Sequence, residues 1–172
     1  MRKSALFMAA VLLTLMPELS HVSASSYQVV FRFTTMYGVD GPFVGDAHPV
    51  RGIPGDGLPW RIRSAEGVLF SDGTISITVR GLVFTNDPVV PPELRGINDE
   101  PKFRAIVSCL TEGDDDTPTA NVATQGFTAN RNGDAQITAR VHLPNPCVAP
   151  VIFIVAADED DWLAVTGVET GS

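Results

Sequence analysis

One of the three histidines stands among carboxylates in a loop. His48 has Asp46 two residues before it and Asp56 eight after, with Arg51 between and Trp60 closing the segment. A hydrolase needs a nucleophile, a base within hydrogen-bond reach and an acid that orients the base. His48 and the loop carboxylates could supply the last two. No serine lies in a Gly-x-Ser-x-Gly elbow, and nothing marks one Ser or Thr as activated. The alternative for His48 is a turn residue before Pro49 whose ring bonds a carbonyl or carboxylate. His142 falls on the polar face of a strand pattern, where a solvated histidine is ordinary. No catalytic residue is assigned on this pattern. Asp46, His48, Arg51, Asp56 and Trp60 are instead candidate binding residues.

Two acidic runs raise calcium, Asp114-Asp115-Asp116 and Asp158-Glu159-Asp160-Asp161. Calcium takes six to eight oxygens converging on one point, from alternating positions with a glycine turn. Consecutive carboxylates diverge instead, so both runs are expected to be solvated turns that discourage edge-to-edge association. No metal ligand and no cofactor is expected. Glycoside hydrolysis needs two facing carboxylates, and no spacing singles out a pair. Trp60 and Trp162 could line a ligand groove, but large aromatics near strand ends more often plug a core.

The elements that would position these residues are strands. Val29, Phe31 and Phe33 alternate with Gln28, Arg32 and Thr34 over Tyr27–Tyr37. The same period of two runs through Thr74–Arg80, Lys102–Cys109 and Gln136–Leu143, which predicts half-buried antiparallel strands. Shorter candidates are Arg61–Ser64, Val68–Phe70, Asn121–Phe127, Val151–Ala156 and Trp162–Val168. The Val151 run is apolar on both faces and is expected at a sheet centre. Ser71-Asp72-Gly73 and Asn132-Gly133 suit the positive φ of tight hairpin turns. About nine strands predict an all-β, antiparallel β-sandwich of Ig-like, Greek-key type, although the Cys-Trp-Cys spacing of immunoglobulins is absent. Thr85–Pro101 is predicted to be an irregular crossover. Gly38–Pro59, rich in glycine and proline, interleaves Phe43, Val44, Val50, Ile53 and Leu58 with its polar residues. Such apolar content argues for a compact loop, expected to pack onto the end of the sandwich.

The N-terminus reads as an address. Arg2 and Lys3 precede an uncharged run from Ala5 to Met16, then Pro17, then small residues at Val22-Ser23-Ala24. This predicts a signal peptide over residues 1–24, cleaved before Ser25, and one β-sandwich domain over residues 25–172. The run is too short to span a bilayer, and the later sequence has no span of the required 20 or so apolar residues. The chain carries 12 basic and 20 acidic residues. Loss of Arg2, Lys3 and Glu18 leaves 10 and 19, a net charge of −9. Nucleic acid and anionic membranes are poor partners for such a surface. An exported chain meets an oxidising environment, so Cys109 and Cys147 are expected to form a disulfide.

Several segments in order resemble a family of uncharacterised secreted bacterial proteins: RGIPGDGLPW at 51–60, SDGTISITVRGLVF at 71–84, FRAIVSCL at 103–110, LPNPCVAPVIFIV at 143–155 and WLAVTG at 162–167. The resemblance covers most of residues 40–167. It implies a bacterial, exported, single-domain protein and carries no activity or functional residue with it. The expectation is a non-enzymatic secreted or envelope-associated β-sandwich acting in binding or as a structural component, with an extracellular protein or glycan as partner. The alternatives are a secreted hydrolase using His48 and loop carboxylates, and a calcium-stabilised adhesion-type module.

Overall fold

A computed structural model describes residues 27–113 and 118–168. The expected signal peptide and the Asp114-Asp115-Asp116 run lie outside the described residues. What is described is an antiparallel β-sandwich with no α-helix. No helix among the described residues is long and apolar enough to cross a membrane.

The first sheet has the order β1 (Val29–Phe33), β4 (Ser64–Phe70), β5 (Thr74–Arg80), β10 (Ala135–Arg140). The second runs β2 (Met36–Gly38), β12 (Trp162–Thr166), β11 (Val148–Ala156), β7 (Lys102–Leu110), β8 (Thr119–Ala123), with β9 (Phe127–Thr128) also on β7. A two-stranded ribbon joins β3 (Trp60–Arg61) to β6 (Val83–Phe84). The chain crosses to the second sheet after β5, returns with β10 beside β5, and crosses again to lay β11 beside β7. That return is of Greek-key kind. Immunoglobulin domains keep their first two strands in one sheet, whereas here β1 and β2 already lie in different sheets.

Period two fixes the inner faces. Ile75, Ile77 and Val79 of β5, Ile137 of β10 and Leu69 of β4 face Phe103, Ala105 and Val107 of β7 and Ile152 and Ile154 of β11, all essentially fully buried. Each such side chain contributes roughly 1.5–3 kcal/mol by leaving water. The two expected turns are present. Gly73 takes φ +83° and Gly133 φ +72°, and an added Cβ would lie 1.9 Å from Val141 O and 2.0 Å from Leu82 O respectively. Glycine is therefore required twice over at both.

The departures from expectation share one cause, that alternation reports faces and not sheets. Tyr27–Tyr37 is not one strand: the chain bends at Thr34–Thr35, so β1 joins the first sheet and β2 the second. Asn121–Phe127 likewise divides into β8 and β9. Thr124 takes over between them, with Oγ1 accepting from Ala105 N at 3.0 Å and donating to Gln125 O at 2.8 Å. Among the described residues twelve strands thus stand where about nine were expected. The Val151 run is the middle of β11, central in its sheet and buried on both faces as expected. The crossover of 85–101 is pinned by buried Asn98, whose amide donates to Glu100 O at 2.7 Å and Asn130 O at 2.9 Å while its oxygen accepts from Glu100 N at 2.9 Å.

Cys109 and Cys147 are bonded, with Cα atoms 4.9 Å apart. The bridge ties β7 to the approach to β11 at the end of one sheet, beside the Leu110–Val148 pair. Closing a loop of 38 residues stabilises a fold by about 4 kcal/mol in the chain-entropy account. Replacing both cysteines with Ala should lower the unfolding free energy by about that amount in urea titrations. Alkylation of the native oxidised protein without reduction should label neither residue. Native labelling of both thiols would contradict the bridge.

Candidate functional site

β7 carries two faces, and only one meets the first sheet. Its outward residues are Arg104, Ile106 and Ser108, in register with Val155, Phe153 and Val151 of β11. Ala123 and Asn121 of β8 lie opposite Ile106 and Ser108. A two-layer sandwich would leave this face in water, yet Ile106 is 5% exposed and Phe153 and Ser108 are fully buried. The cover is the Gly- and Pro-rich loop. It does not cap the end of the sandwich as expected but lies across the outer face of the second sheet as a third layer.

Three sets of contacts hold it there. The Phe43 ring packs 6.4 Å from Tyr37 and 6.2 Å from Trp162, which in turn lies 6.3 Å from Phe153. Where β2 leaves the edge of β12, the loop replaces it: Trp162 N donates to Pro54 O at 2.9 Å and Asp56 N donates to Trp162 O at 3.1 Å. The approach at Gly55 is close enough that a Cβ would fall 1.9 Å from Phe43 O. Asn121 Nδ2 then donates to Arg51 O at 3.2 Å, and Arg51 Nη2 to Ala149 O at 3.1 Å.

The five candidate binding residues separate on this scaffold. His48 is exposed, and its Nδ1 bonds Pro42 O at 2.9 Å, so the ring braces the loop internally. Trp60 is no groove floor. It is 1% exposed, its ring tilted against that of Phe84 with centroids 4.0 Å apart in the core, because β3 runs inward from the loop. Its indole N–H is buried without a hydrogen bond of ordinary length and faces the Asp56 carboxyl. Asp56 staples the loop's end, Oδ1 accepting from Leu58 N at 2.8 Å. Asp46 is exposed. Arg51 alone reaches the outer face of β7.

Around Arg51 several costs coincide. Arg51 and Ala149, at φ +55° and +46°, are the non-glycine residues with positive φ among the described residues, and they bond each other. L-residues adopt that region at a cost of about 1–3 kcal/mol each, and such strain concentrates at functional sites. Ala149 reaches the position through an irregularity in the β11–β7 pairing between Val148 and Val151. Arg51 bonds Asn121 of β8 and Ala149 of β11, the strands on either side of β7, and Ser108 lies between them in register with Asn121 and Val151. Arg51 Nη1 and Ser108 Oγ are each buried without a hydrogen-bond partner among the described residues. Beside this node a groove of about 410 Å³ opens between Gly52, Ile53 and Pro54 of the loop and Arg104, Ile106, Asn121 and Ala123 of the sheet, with Asp160 at its far end. Ser108 and Ala149 were not legible as site residues, since one sits in a polar register position and the other in a proline-flanked approach.

Carboxylates gather beyond that far end. Asp160 pairs with Arg104, whose Nη2 also reaches Glu159 O at 3.3 Å. Burial, then the neighbouring charges of Asp161 and Glu159, hold Asp56 above its ordinary pKa, outweighing the bonds from Leu58 and Trp60. Glu100 is raised by burial and by Asp99, Glu159, Asp56 and Asp158, and Asp161 by burial and by Glu159, Asp46 and Asp160. Among the described residues no group of three or more His, Cys, Asp or Glu could hold a metal ion. On the other sheet a cleft of about 550 Å³ assembles Ser71, Asp72, Arg140 and His142. These do not form a relay. Ser71 Oγ accepts from Gln28 N, and Asp72 is held by Thr74 and by Arg140 at 3.6 Å. Although desolvation opposes it, those bonds keep Asp72 below its ordinary pKa.

Comparison with protein-family models, with curated proteins and with solved structures finds no match to this chain.

Ile53, 5% exposed, is the loop's main buried anchor. Ile53→Ala should cost about 2–5 kcal/mol in unfolding free energy, whereas Asp46→Ala should leave it within about 0.5 kcal/mol. Equal, small effects would mean the loop is not docked. The carboxyls predict a pH dependence. A carboxyl raised on folding penalises the native state above its folded pKa and costs nothing below its unfolded value of 3.8 (Asp56, Asp161) or 4.5 (Glu100). The melting temperature should therefore rise as pH falls from neutral through the raised folded pKa values of these groups toward 4.5 and 3.8, and Asp56→Asn with Asp161→Asn should flatten the rise. Asp72 works in the opposite sense, and its contribution is lost only as pH falls through a value below 3.8. A melting temperature that falls throughout acidification would refute the prediction.

Proposed function

We propose that the chain is an exported, non-enzymatic binding module whose ligand site is the groove between the loop layer and the outer face of β7 and β8. The observation that carries this reading is the node at its edge. Two strained residues, Arg51 and Ala149, bond each other, and two buried donors, Arg51 Nη1 and Ser108 Oγ, have no partner among the described residues. A sheet whose only need was burial would place an apolar residue at Ser108 and avoid both costs. The groove beside it mixes apolar walls with a few polar groups, the usual character of a ligand site. Export is supported by the N-terminal pattern of charged, apolar and small residues, by the disulfide, and by the resemblance to secreted bacterial proteins. Binding is favoured over hydrolysis by the position of His48, whose ring is spent on Pro42 O.

The test is a fragment screen followed by nuclear magnetic resonance on the full exported chain. Fragments that bind should shift the amides of Gly52, Ile106, Asn121 and Ala123 together. Ala123→Trp, at an exposed position of β8, should fill the groove and remove those shifts without lowering the melting temperature. Shifts that cluster around Ser71 and His142 instead would move the site to the other sheet and end this reading.

A further inference from the structure

We propose that the Arg51–Ser108 node is a carboxylate site for a ligand whose apolar body lies along the groove, an inference that rests on the binding reading above. Its basis is a mismatch of donors and acceptors. Among the described residues Arg51 makes no ion pair, and its side chain bonds the neutral Ala149 carbonyl. One of its terminal nitrogens is buried and unpartnered, and so is the hydroxyl of Ser108, a residue with no exposed surface. Both groups can donate. A carboxylate carries two acceptor oxygens on one carbon, and guanidinium–carboxylate bonds are the strong, charge-assisted kind. One oxygen on Arg51 Nη1 and the other on Ser108 Oγ would satisfy both donors at once and supply the missing counter-charge.

The groove sets the rest of the ligand. Ile106 and Ala123 lie one pleat repeat from Ser108 and Asn121 on the same face, and Ile53 and Pro54 form the opposing wall. An apolar body running from the node covers these residues before it reaches Arg104 and Asp160, four residues along β7 from Ser108, or roughly 13 Å. The far end is acidic, so the ligand has its single negative charge at the node end. Both donors are closed to water in the present arrangement, so loading requires the Arg51–Gly52 turn to lift. Gly52, at φ +79°, has no atom within 4 Å of an added Cβ, so nothing packs against the turn there. The move gives up two bonds, from Arg51 to Ala149 O and from Asn121 to Arg51 O.

Hexanoate and hexanamide, alike in size and differing in charge, decide the matter when titrated into ¹⁵N-labelled protein at constant pH and ionic strength. Hexanoate should shift the amides of Arg51, Ser108, Asn121 and Ile106 and bind at least tenfold more tightly than hexanamide. Arg51→Gln should weaken hexanoate at least tenfold while leaving hexanamide binding and the dispersion of the other amides unchanged, and Ser108→Ala should weaken hexanoate severalfold. Equal affinity for acid and amide at the groove would overturn the carboxylate site and leave the groove reading standing. Hexanoate shifts located at Arg63 or Arg131 would overturn it as non-specific pairing with surface cations. If neither probe shifts any groove amide, the carboxylate site and the groove reading fall together.

Discussion

Every layer of this protein follows from having to bury both faces of one sheet. β11 presents Ile152 and Ile154 to the first sheet and Phe153 and Val155 outward, and all four are fully buried. A sandwich supplies cover for one face only. The second cover could have been another sheet or a helix, but the chain uses 22 residues with no long regular element. A loop can serve only if its backbone polar groups are satisfied. This one satisfies them by joining the sheet it covers, with Val39, Pro54 and Asp56 extending the ladder of β12. The glycine and proline content follows: the loop approaches other backbone too closely at Gly55 for any side chain, and turns left-handed at Gly41, Gly45 and Gly52.

Covering a sheet with irregular chain leaves imperfections, and their placement is informative. The Phe43 ring meets Trp162, while between Ile53 and Ile106 the cover is incomplete and the groove opens. The buried unpartnered donors collect at the corner one pleat repeat on, at Ser108 and Arg51. A buried donor left unmet costs about 1–3 kcal/mol, comparable to the strain at Arg51 or Ala149. Together these are large against the 5–15 kcal/mol net stability of a typical domain. The disulfide lies at this same corner, joining β7 to the approach to β11 one residue before Val148. It holds the β11 irregularity in place and so keeps Ala149 O under Arg51.

Much of the framework was legible because period two is a local property. Thr74–Arg80, Lys102–Cys109 and Gln136–Leu143 alternate and became β5, β7 and β10, and the double-faced Val151 run became the sheet centre. Alternation does not say which sheet a strand joins, so the Thr34–Thr35 crossing between β1 and β2 was invisible. It also assigns Ser108 to a polar, solvated face, since nothing in Lys102–Cys109 announces a third layer. Gly38–Pro59 could be seen as a compact loop from its apolar residues, but not where it lands. Of the candidate site residues, Arg51 lies at the node, His48 braces the loop and Trp60 is core. Asp46 and Asp56 join an acidic patch whose other members come from 99–100 and 158–161, a convergence only the tertiary fold creates.

That patch gives the groove a direction. Asp160, Glu159 and Asp161 stand at one end, where Arg104 is paired to Asp160. Arg51 stands at the other end with no carboxylate bonded to it. Across roughly 13 Å of open surface, salt at about 0.15 M would screen most of the difference, since the Debye length there is about 8 Å. Under the loop the path runs between Ile53, Pro54, Ile106 and Ala123, and charges beside apolar walls are screened less than fully exposed ones. A guest lying along β7 therefore meets a potential that changes sign from end to end. An anionic group is repelled from Asp160 and drawn to Arg51, while a neutral or cationic group is indifferent to the first or drawn to it. Orientation is thus imposed by charge at the two ends, and length by the pleat repeat between them.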